Sequence, residues 1–549
     1  MRNRLIIHLV ILSALLTACI PAIPSTLEPI ASEVPTGDPQ YEIPWWKTAV
    51  FYEIFVRSFC DSDGDGIGDF NGITEKLDYL NDGDPETLDD LGITAIWLMP
   101  INPSPSYHGY DVVNYYNVNP EYGSMKDFKR LLEEAHRRGI RIIIDLVLNH
   151  TSRNHPFFLN ASSDENNEYH DWYVWSAENG GDHWHFSGTG ANSQYFYGYF
   201  SPDMPDLNYR NPDVTEQMKK VTAFWLEEVG VDGFRVDAAK HLIEDGKVLD
   251  NTQATHDWFK GFYSFYKSIN PDAYVVGEVS GSDARVAELY DDDEMDMIFN
   301  FEVASGFVNS ANGGSISGIG SAVSFIEKDN PDWNFATFLT NHDQNRVMST
   351  LGGNVDKAKV AAALMLTSPG TPFIYYGEEI GMEGGKPDEY IRRPMQWDNT
   401  INAGFTAGIP WEDLGTNIAV ANVKIQSSDD DSLLNWYRQL IQYRRDYPVF
   451  STGGYTAVKC SDRGIYAALR ESGEETILAL INMSKNPIAN FTLSFEGSSL
   501  ADGSYNGDPI LGNVTINGMI VTSGNSKDYQ PLISLEPFQT ILMQLSPAE

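Results

Sequence analysis

The sequence predicts an α/β protein built on a closed (β/α)8 barrel, a TIM barrel, with an excursion domain inserted after the third strand and an antiparallel β-sandwich at the C-terminus. Three observations predict it. Strand-like and helical patterns alternate from Trp45 to about Pro448, and eight alternating βα units close into a barrel. Three short apolar runs end in a carboxylate: Asp237 in GFRVDAAKH, Glu278 in YVVGEVS and Asp343 in FATFLTNHD. In such a barrel the C-terminal ends of different strands converge on one site. After Pro448 the pattern changes to short alternating runs separated by Gly and Asn turns, which reads as antiparallel β-structure.

Taken in order, residues 1–18 have a basic start (Arg2, Arg4), an apolar stretch and small residues before Cys19, the composition of an export signal. Residues 19–44 are poor in apolar residues and contain Pro, Ser, Thr and Glu, as in a tether. Strands are expected at 50–59, 93–100, 141–148, 231–237, 273–279, 295–301, 335–340 and 371–376, each short and rich in β-branched or aromatic residues. Helices are expected at 125–138, 215–229, 257–268, 357–366 and 433–445, where apolar residues recur at spacings of three and four. The stretch 151–211 is too long for an ordinary βα loop and dense in aromatics, so it forms the excursion domain between barrel segments 45–150 and 212–448. The C-terminal domain is 449–549, with strands near 464–469, 476–482 and 491–495.

At 549 residues, with 42% hydrophobic content, the chain can fill more than one core. Its 77 Asp and Glu against 37 Lys and Arg leave a net charge of −40. Phosphates would be repelled, which argues against a nucleic-acid partner and leaves neutral or cationic substrates. The same acidity fits either salt adaptation or an ordinary acidic secreted enzyme. Beyond Cys19 only Cys60 and Cys460 remain; no disulfide framework is expected, and both read as inert thiols.

A single strand-end carboxylate is commonly a cap or an ion-pair partner; three on successive strands read as a site. Retaining glycosidases use two carboxyl groups about 5 to 5.5 Å apart, one as nucleophile and one as acid/base, and a third can stabilise positive charge on the sugar. Arg235, two residues before Asp237, shares its strand face and is placed to bond that carboxylate and hold its pKa low. The aromatics at Trp172, Trp175, Trp184, Tyr195 and Tyr197 can stack on sugar rings or build the core of the excursion domain.

From Trp45 to its C-terminus the chain resembles the α-amylase family, glycoside hydrolase family 13. DLVLNH at 145–150, GFRVDAAKH at 233–241, GEV around Glu278 and TNHD at 340–343 are similar to the four family blocks in order, and MPDLN at 204–208 to the block closing the excursion domain. The resemblance implies Asp237 as nucleophile, Glu278 as general acid/base and Asp343 as the residue gripping the sugar before the cleaved bond. It implies sugar contacts for His108, Tyr110, His150, Arg235, His342 and Arg392, the last in RRPMQW where relatives have RTPMQW. Lys240 and His241 match a pair that binds glucose units beyond the cleaved bond in endo-acting α-amylases.

Asp61, Asp63, Asp65 and Asp69 alternate with Gly and Ser around Ile67, an oxygen-rich pattern suited to Ca2+, although Gly72 stands where an EF-hand has its Glu. The loop resembles the metal loop of oligo-1,6-glucosidases, which implies Ca2+ or Mg2+ held by these four carboxylates and the Ile67 carbonyl. Asn149 matches a calcium ligand of α-amylases and implies a second Ca2+ site.

Lys240, His241 and Ala238 point to the endo-α-1,4 side of the family; the first block, RRPMQW and NHDQNR are similar to the oligo-1,6-glucosidase side. The expected activity is endo-hydrolysis of starch and maltodextrins. The alternatives are an α-glucosidase or neopullulanase, a 4-α-glucanotransferase, or a non-catalytic glucan-binding lipoprotein. Leu16-Thr17-Ala18-Cys19 resembles the lipobox of bacterial lipoproteins, which implies acylation of Cys19 and a monomer anchored by lipid to the cell membrane, facing away from the cytoplasm.

Overall fold

The structure is a computed structural model that describes residues 43–188, 194–281, 288–291, 293–328, 333–473 and 475–548. The expected export signal, tether and Cys19 lie outside the described residues. No helix among the described residues is long and apolar enough to cross a membrane.

Eight parallel strands form a closed barrel: β1 Phe51–Ile54, β2 Ala95–Leu98, β3 Arg141–Leu146, β4 Gly233–Val236, β5 Tyr274–Gly277, β6 Met297–Phe299, β7 Phe335–Phe338 and β8 Thr371–Tyr375, with β8 pairing back to β1. Every expected strand is present. The first is shorter than expected, because Val56–Phe59 forms a helical turn. All four of its residues are buried, and a short run buried all round gives no periodicity to separate strand from helix.

Side chains alternate across these strands. Phe51, Trp97, Ile143, Tyr274, Val276, Met297, Phe299, Phe338 and Phe373 fill the barrel interior, with Phe51 stacked on Phe373 at 4.2 Å. Tyr52, Ile96, Ile142, Ile144, Phe234 and Val275 face outward into the layer packed against the helices. Trp45 and Trp46 close the N-terminal end, Trp46 stacking on Tyr274 at 5.4 Å. Gly233 allows β4 to approach β5: a Cβ there would lie 1.8 Å from the Tyr274 carbonyl oxygen.

The longer helices begin at polar caps. Met125–Arg137 starts in a capping box made by Ser124 and Asp127, and Asn211 caps the helix that begins at Pro212. That helix starts earlier than expected because Pro suits its first turn, and it continues as the π-helical Phe224–Val229. Gln253–Ile269, Val355–Thr367 and Leu433–Asp446 cover the remaining expected helices.

The excursion segment contains the helix Pro156–Ser163 and a small sheet of Trp175–Ser176, Trp184–Phe186 and Tyr195–Tyr197. Its end is tied to the end of β3: Leu207 N–H donates to the Asn149 carbonyl at 2.9 Å and Thr151 N–H to the Pro205 carbonyl at 3.1 Å. The MPDLN and DLVLNH motifs therefore meet. Beyond the barrel, Gly454–Ala457, Ile465–Glu471, Thr476–Asn482, Thr540–Pro547, Gly503–Leu511 and Met519–Val521 form, in that spatial order, a six-stranded antiparallel sheet. Smaller sheets add to it over a core that includes Leu469, Leu480, Phe491, Leu493 and Met543. Cys60 and Cys460 are both free thiols.

Candidate active site

The strand alternation that sends Phe51, Ile143 and Val276 inward sends Glu53, Asp145 and Glu278 the same way, each two positions on, and in β4 Arg235 and Asp237 alternate with the outward Phe234 and Val236. All five stand at the C-terminal end of the barrel. Arg235 is their hub. Its Nη1 donates to Asp145 Oδ1 at 2.6 Å and to Asp237 Oδ1 at 2.8 Å, and its Nη2 donates to Glu278 Oε2 at 2.6 Å. One guanidinium thus joins Asp237 to Glu278. Trp97 Nε1 holds the other Asp145 oxygen at 3.0 Å.

After Asp237 the chain turns sharply. Ala238 is in the left-handed region at φ 48°, where a small side chain costs least, and the following turn Ala239–His241 brings Lys240 and His241 to the cleft wall. Lys240 Nζ is 3.5 Å from Asp250 Oδ2. The His241 ring stacks on Tyr199 at 3.9 Å, and its Nδ1 is 3.0 Å from the Leu249 carbonyl.

Beyond β7, His342 places Nδ1 2.6 Å from Glu53 Oε1 and Nε2 2.7 Å from the Tyr110 hydroxyl. Asp343 receives Arg392 Nη2 at 2.8 Å on Oδ1 and lies 3.2 Å from His342 Nε2 through Oδ2. Its side chain is 46% exposed, facing the cleft. Tyr110 stacks between His108 and His342.

The result is a cavity of about 400 Å3 lined by Asp237, Glu278, Asp343, His108, Tyr110, His150, Lys240, His241 and Arg392. Of the expected sugar contacts, Arg235 and His342 do not line it. Both are about 1% exposed; Arg235 bonds Asp237 and Glu278 from beneath, and His342 lies against Asp343 and Tyr110, so they position groups that line the cleft. His150 does line the cleft, and burial lowers its imidazole to about 4, so the ring is neutral near pH 7.

Electrostatics separate these acids. Burial raises the Asp237 carboxyl, and Arg235 only partly offsets it, so the low pKa expected from Arg235 alone is not what the site produces. Burial also raises Glu278, with Asp237 and Asp343 adding to the rise, and pushes Asp145 up to about 7. Burial alone would lower His342, but the Asp343 and Glu53 carboxylates overcome it and raise the imidazolium to about 10. Asp343 moves the other way: despite burial, His342 and Arg392 hold it well below the usual carboxylate range. Such a site favours the ionised form of Asp343 and makes Asp145, Asp237 and Glu278 hold protons more readily than free carboxyls do. A carboxylate able to attack beside a carboxylic acid able to donate is the requirement of double displacement.

Sequence reasoning did not assign roles to Glu53, Asp145, Phe200 or Asp388. Glu53 in FYEIF and Asp145 in IIIDL are acids inside buried apolar strands, which was the available signal. Phe200 lines the cleft from a loop and Asp388 from the first turn of the short helix Asp388–Ile391, and neither leaves such a pattern.

Two groups of oxygen donors lie outside the cleft. Asp61, Asp63 and Asp65 offer carboxylate oxygens all within 4.8 Å of one another. Ca2+ takes oxygens at about 2.3 to 2.6 Å, so this spacing fits one ion. The Asp69 oxygens accept from the N–H groups of Ser62 and Gly72 at 2.8 Å, capping the helix Phe70–Glu75. The Asp61 oxygens likewise accept from the N–H groups of Asp63, Gly64 and Gly66, and the Ile67 N–H donates to Asp65 Oδ1 at 2.8 Å. In the second group, Asn149 Oδ1, Asp206 Oδ2 and Glu244 Oε1 are buried without hydrogen-bond partners among the described residues. Burial, then Glu244, raises the Asp206 carboxyl well above its ordinary value. Buried carboxylates facing an amide oxygen fit a cation, since unpaired burial of such groups is costly.

Comparison with known proteins matches this architecture. The alpha amylase catalytic domain family matches residues 53–453. Alpha-amylase 3 of Dictyoglomus thermophilum is 44% identical over 458 residues, covering 81% of this chain and 86% of the relative. An oligo-1,6-glucosidase of Parageobacillus thermoglucosidasius is 34% identical, covering 81% and 91%. Among solved structures, the α-amylase from H. orenii superposes with a TM-score of 0.78 at 41% identity, covering 91% of this chain and all of that one. With the barrel, the carboxylate cluster and these matches in agreement, the chain belongs to the α-amylase family of glycoside hydrolases.

Proposed function

We propose that this protein hydrolyses internal α-1,4-glucosidic bonds of starch and maltodextrins by retaining double displacement. The observation that carries the reading is the tie from Asp237 through Arg235 to Glu278, which favours the short carboxylate spacing of a retaining pair, about 5 to 5.5 Å, over the wider inverting one. Glu278 protonates the glycosidic oxygen as it leaves, while Asp237 attacks the anomeric carbon and forms a glycosyl-enzyme. Glu278, now ionised, takes a proton from water, which releases the sugar from Asp237. Asp343, ionised and braced by Arg392 and His342, holds hydroxyls of the reacting sugar, and His108, Tyr110 and His150 line the same pocket.

Endo action is supported by Lys240 and His241, which line the cleft with Glu278, and by similarity to proteins named α-amylase. The similarity to an oligo-1,6-glucosidase keeps exo-cleavage as the second reading. Incubation with soluble starch, pullulan and isomaltose separates them. Rapid loss of iodine colour with mixed maltooligosaccharides is expected; glucose as sole product, or efficient isomaltose hydrolysis, would move the enzyme to the exo side.

The reading includes Ca2+ (or Mg2+) on the loop of Asp61, Asp63, Asp65, Asp69 and the Ile67 carbonyl, and a second Ca2+ at Asn149, supported by the donor groups described above. Bound there, a metal supplies cross-linking charge that pins the loop after β1 and the base of the excursion segment. Because a metal that binds only the folded state stabilises it, chelation is expected to lower the melting temperature by several degrees. An unchanged melting point after metal analysis verifies removal would count against both sites. Export and lipid anchoring through Cys19, and a monomeric state, complete the proposal; the first rests on the Leu16-Thr17-Ala18-Cys19 sequence.

A further inference from the structure

A larger cavity than the cleft, about 700 Å3, opens between the excursion segment and the loop following His241. It is within the range of about 300 to 1,000 Å3 occupied by small-molecule sites. Its wall carries Trp184, Tyr197 and His183 beside Asp171, Arg210 and Lys247. We propose that this cavity is a second binding site for an α-1,4-glucan chain, separate from the catalytic cleft; the ligand class rests on the function proposed above.

The chemistry of the wall selects the ligand class. Asp171, Asp182 and Glu244 stand with Arg210, Lys247 and His183 on this wall, a mixture of donors and acceptors that suits neutral sugars, which combine apolar C–H faces with hydroxyls. Not every aromatic is available. Trp175 is covered by His170, stacked at 4.9 Å, and by Phe158, stacked at 5.7 Å, and serves the core. Trp184 is partly exposed. It rests on the Gly180 backbone, where a Cβ would come within 2.4 Å of its indole nitrogen, and meets Tyr197 edge-on at 5.4 Å. Tyr197 is 6% exposed, and its hydroxyl stands beside the Glu244 carboxylate on the cavity wall.

The position suits a polymer. His183 of this cavity stacks on Tyr199 at 4.6 Å, and Tyr199 stacks on His241 at 3.9 Å. His241 lines the catalytic cleft, so a single aromatic wall separates the two sites. A strand of glucan held on one side raises the effective concentration of its neighbouring segments on the other.

The test uses Asp237→Asn protein titrated with maltoheptaose by calorimetry, and otherwise wild-type protein carrying Trp184→Ala or Tyr197→Phe. Two binding events per chain are expected for Asp237→Asn, and one after Trp184→Ala is added. In active enzyme, Trp184→Ala is expected to raise the KM for soluble starch about fivefold, the scale of one lost aromatic contact, while kcat/KM for a short chromogenic maltotrioside stays within about twofold. Tyr197→Phe, which keeps the ring, is expected to shift starch KM in the same direction, so the proposal stands on a second variant if Trp184→Ala misfolds. A single binding event in Asp237→Asn, or starch KM unchanged in both variants, overturns the second site. Absence of any maltoheptaose binding or starch cleavage instead overturns the α-glucan reading itself.

Discussion

Asp237→Asn is expected to fold like the parent protein and to lose turnover by roughly 10^3-fold or more, as loss of a covalent nucleophile does in other enzymes. Folding is expected to survive because the buried Arg235 keeps Asp145 and Glu278 as partners, both at 2.6 Å. Stability is expected to hold or rise, since burial raises the Asp237 carboxyl despite Arg235; the native site holds that charge at a cost the amide does not carry. Turnover on starch and a melting curve on the same preparation check both halves. Substantial remaining hydrolysis would overturn the assignment of Asp237.

Glu278→Gln is expected to cost about 10^2- to 10^4-fold on starch, the range for a general acid, with a signature that removal of the nucleophile lacks. A sugar alkoxide leaves poorly without a proton, whereas an activated phenolate leaves without help. The first step should therefore recover largely with a nitrophenyl maltooligosaccharide, leaving release of the glycosyl-enzyme slow and an initial burst of phenol visible. The wild-type alkaline limb should also vanish. Burial, reinforced by Asp237 and Asp343, raises Glu278; activity needs it protonated before cleavage, so activity falls as pH rises through that raised pKa, and glutamine has no proton to lose. Equal losses on both substrates, or an unchanged alkaline limb, would remove Glu278 from the acid role.

The barrel was legible because its strands are continuous apolar runs separated by amphipathic helices, and those patterns survive in sequence. The overrun at 50–59 shows the limit: Val56–Phe59 is as buried as Phe51–Ile54, so hydrophobicity alone cannot mark the change of backbone. Asp237, Glu278 and Asp343 were legible as a set because each closes its own strand or follows it, within matching motifs. Glu53 and Asp145 were harder. Each is a lone acid in an apolar run whose partners, His342 and Trp97 with Arg235, come from other strands or the turn after one, so their purpose exists only after the barrel closes. The cavity beside Trp184 was not legible, because its wall joins the excursion strands to a loop that follows a different barrel strand.

The central claim is that Asp237 and Glu278 act as a retaining pair on α-linked glucan. It is tested most directly by following the starch digest with proton NMR and reading the anomeric configuration of the new reducing ends before mutarotation. Two displacements at one carbon require the α-anomer to appear first. Initial release of the β-anomer would mean a single displacement by water, and would contradict the role given to Asp237.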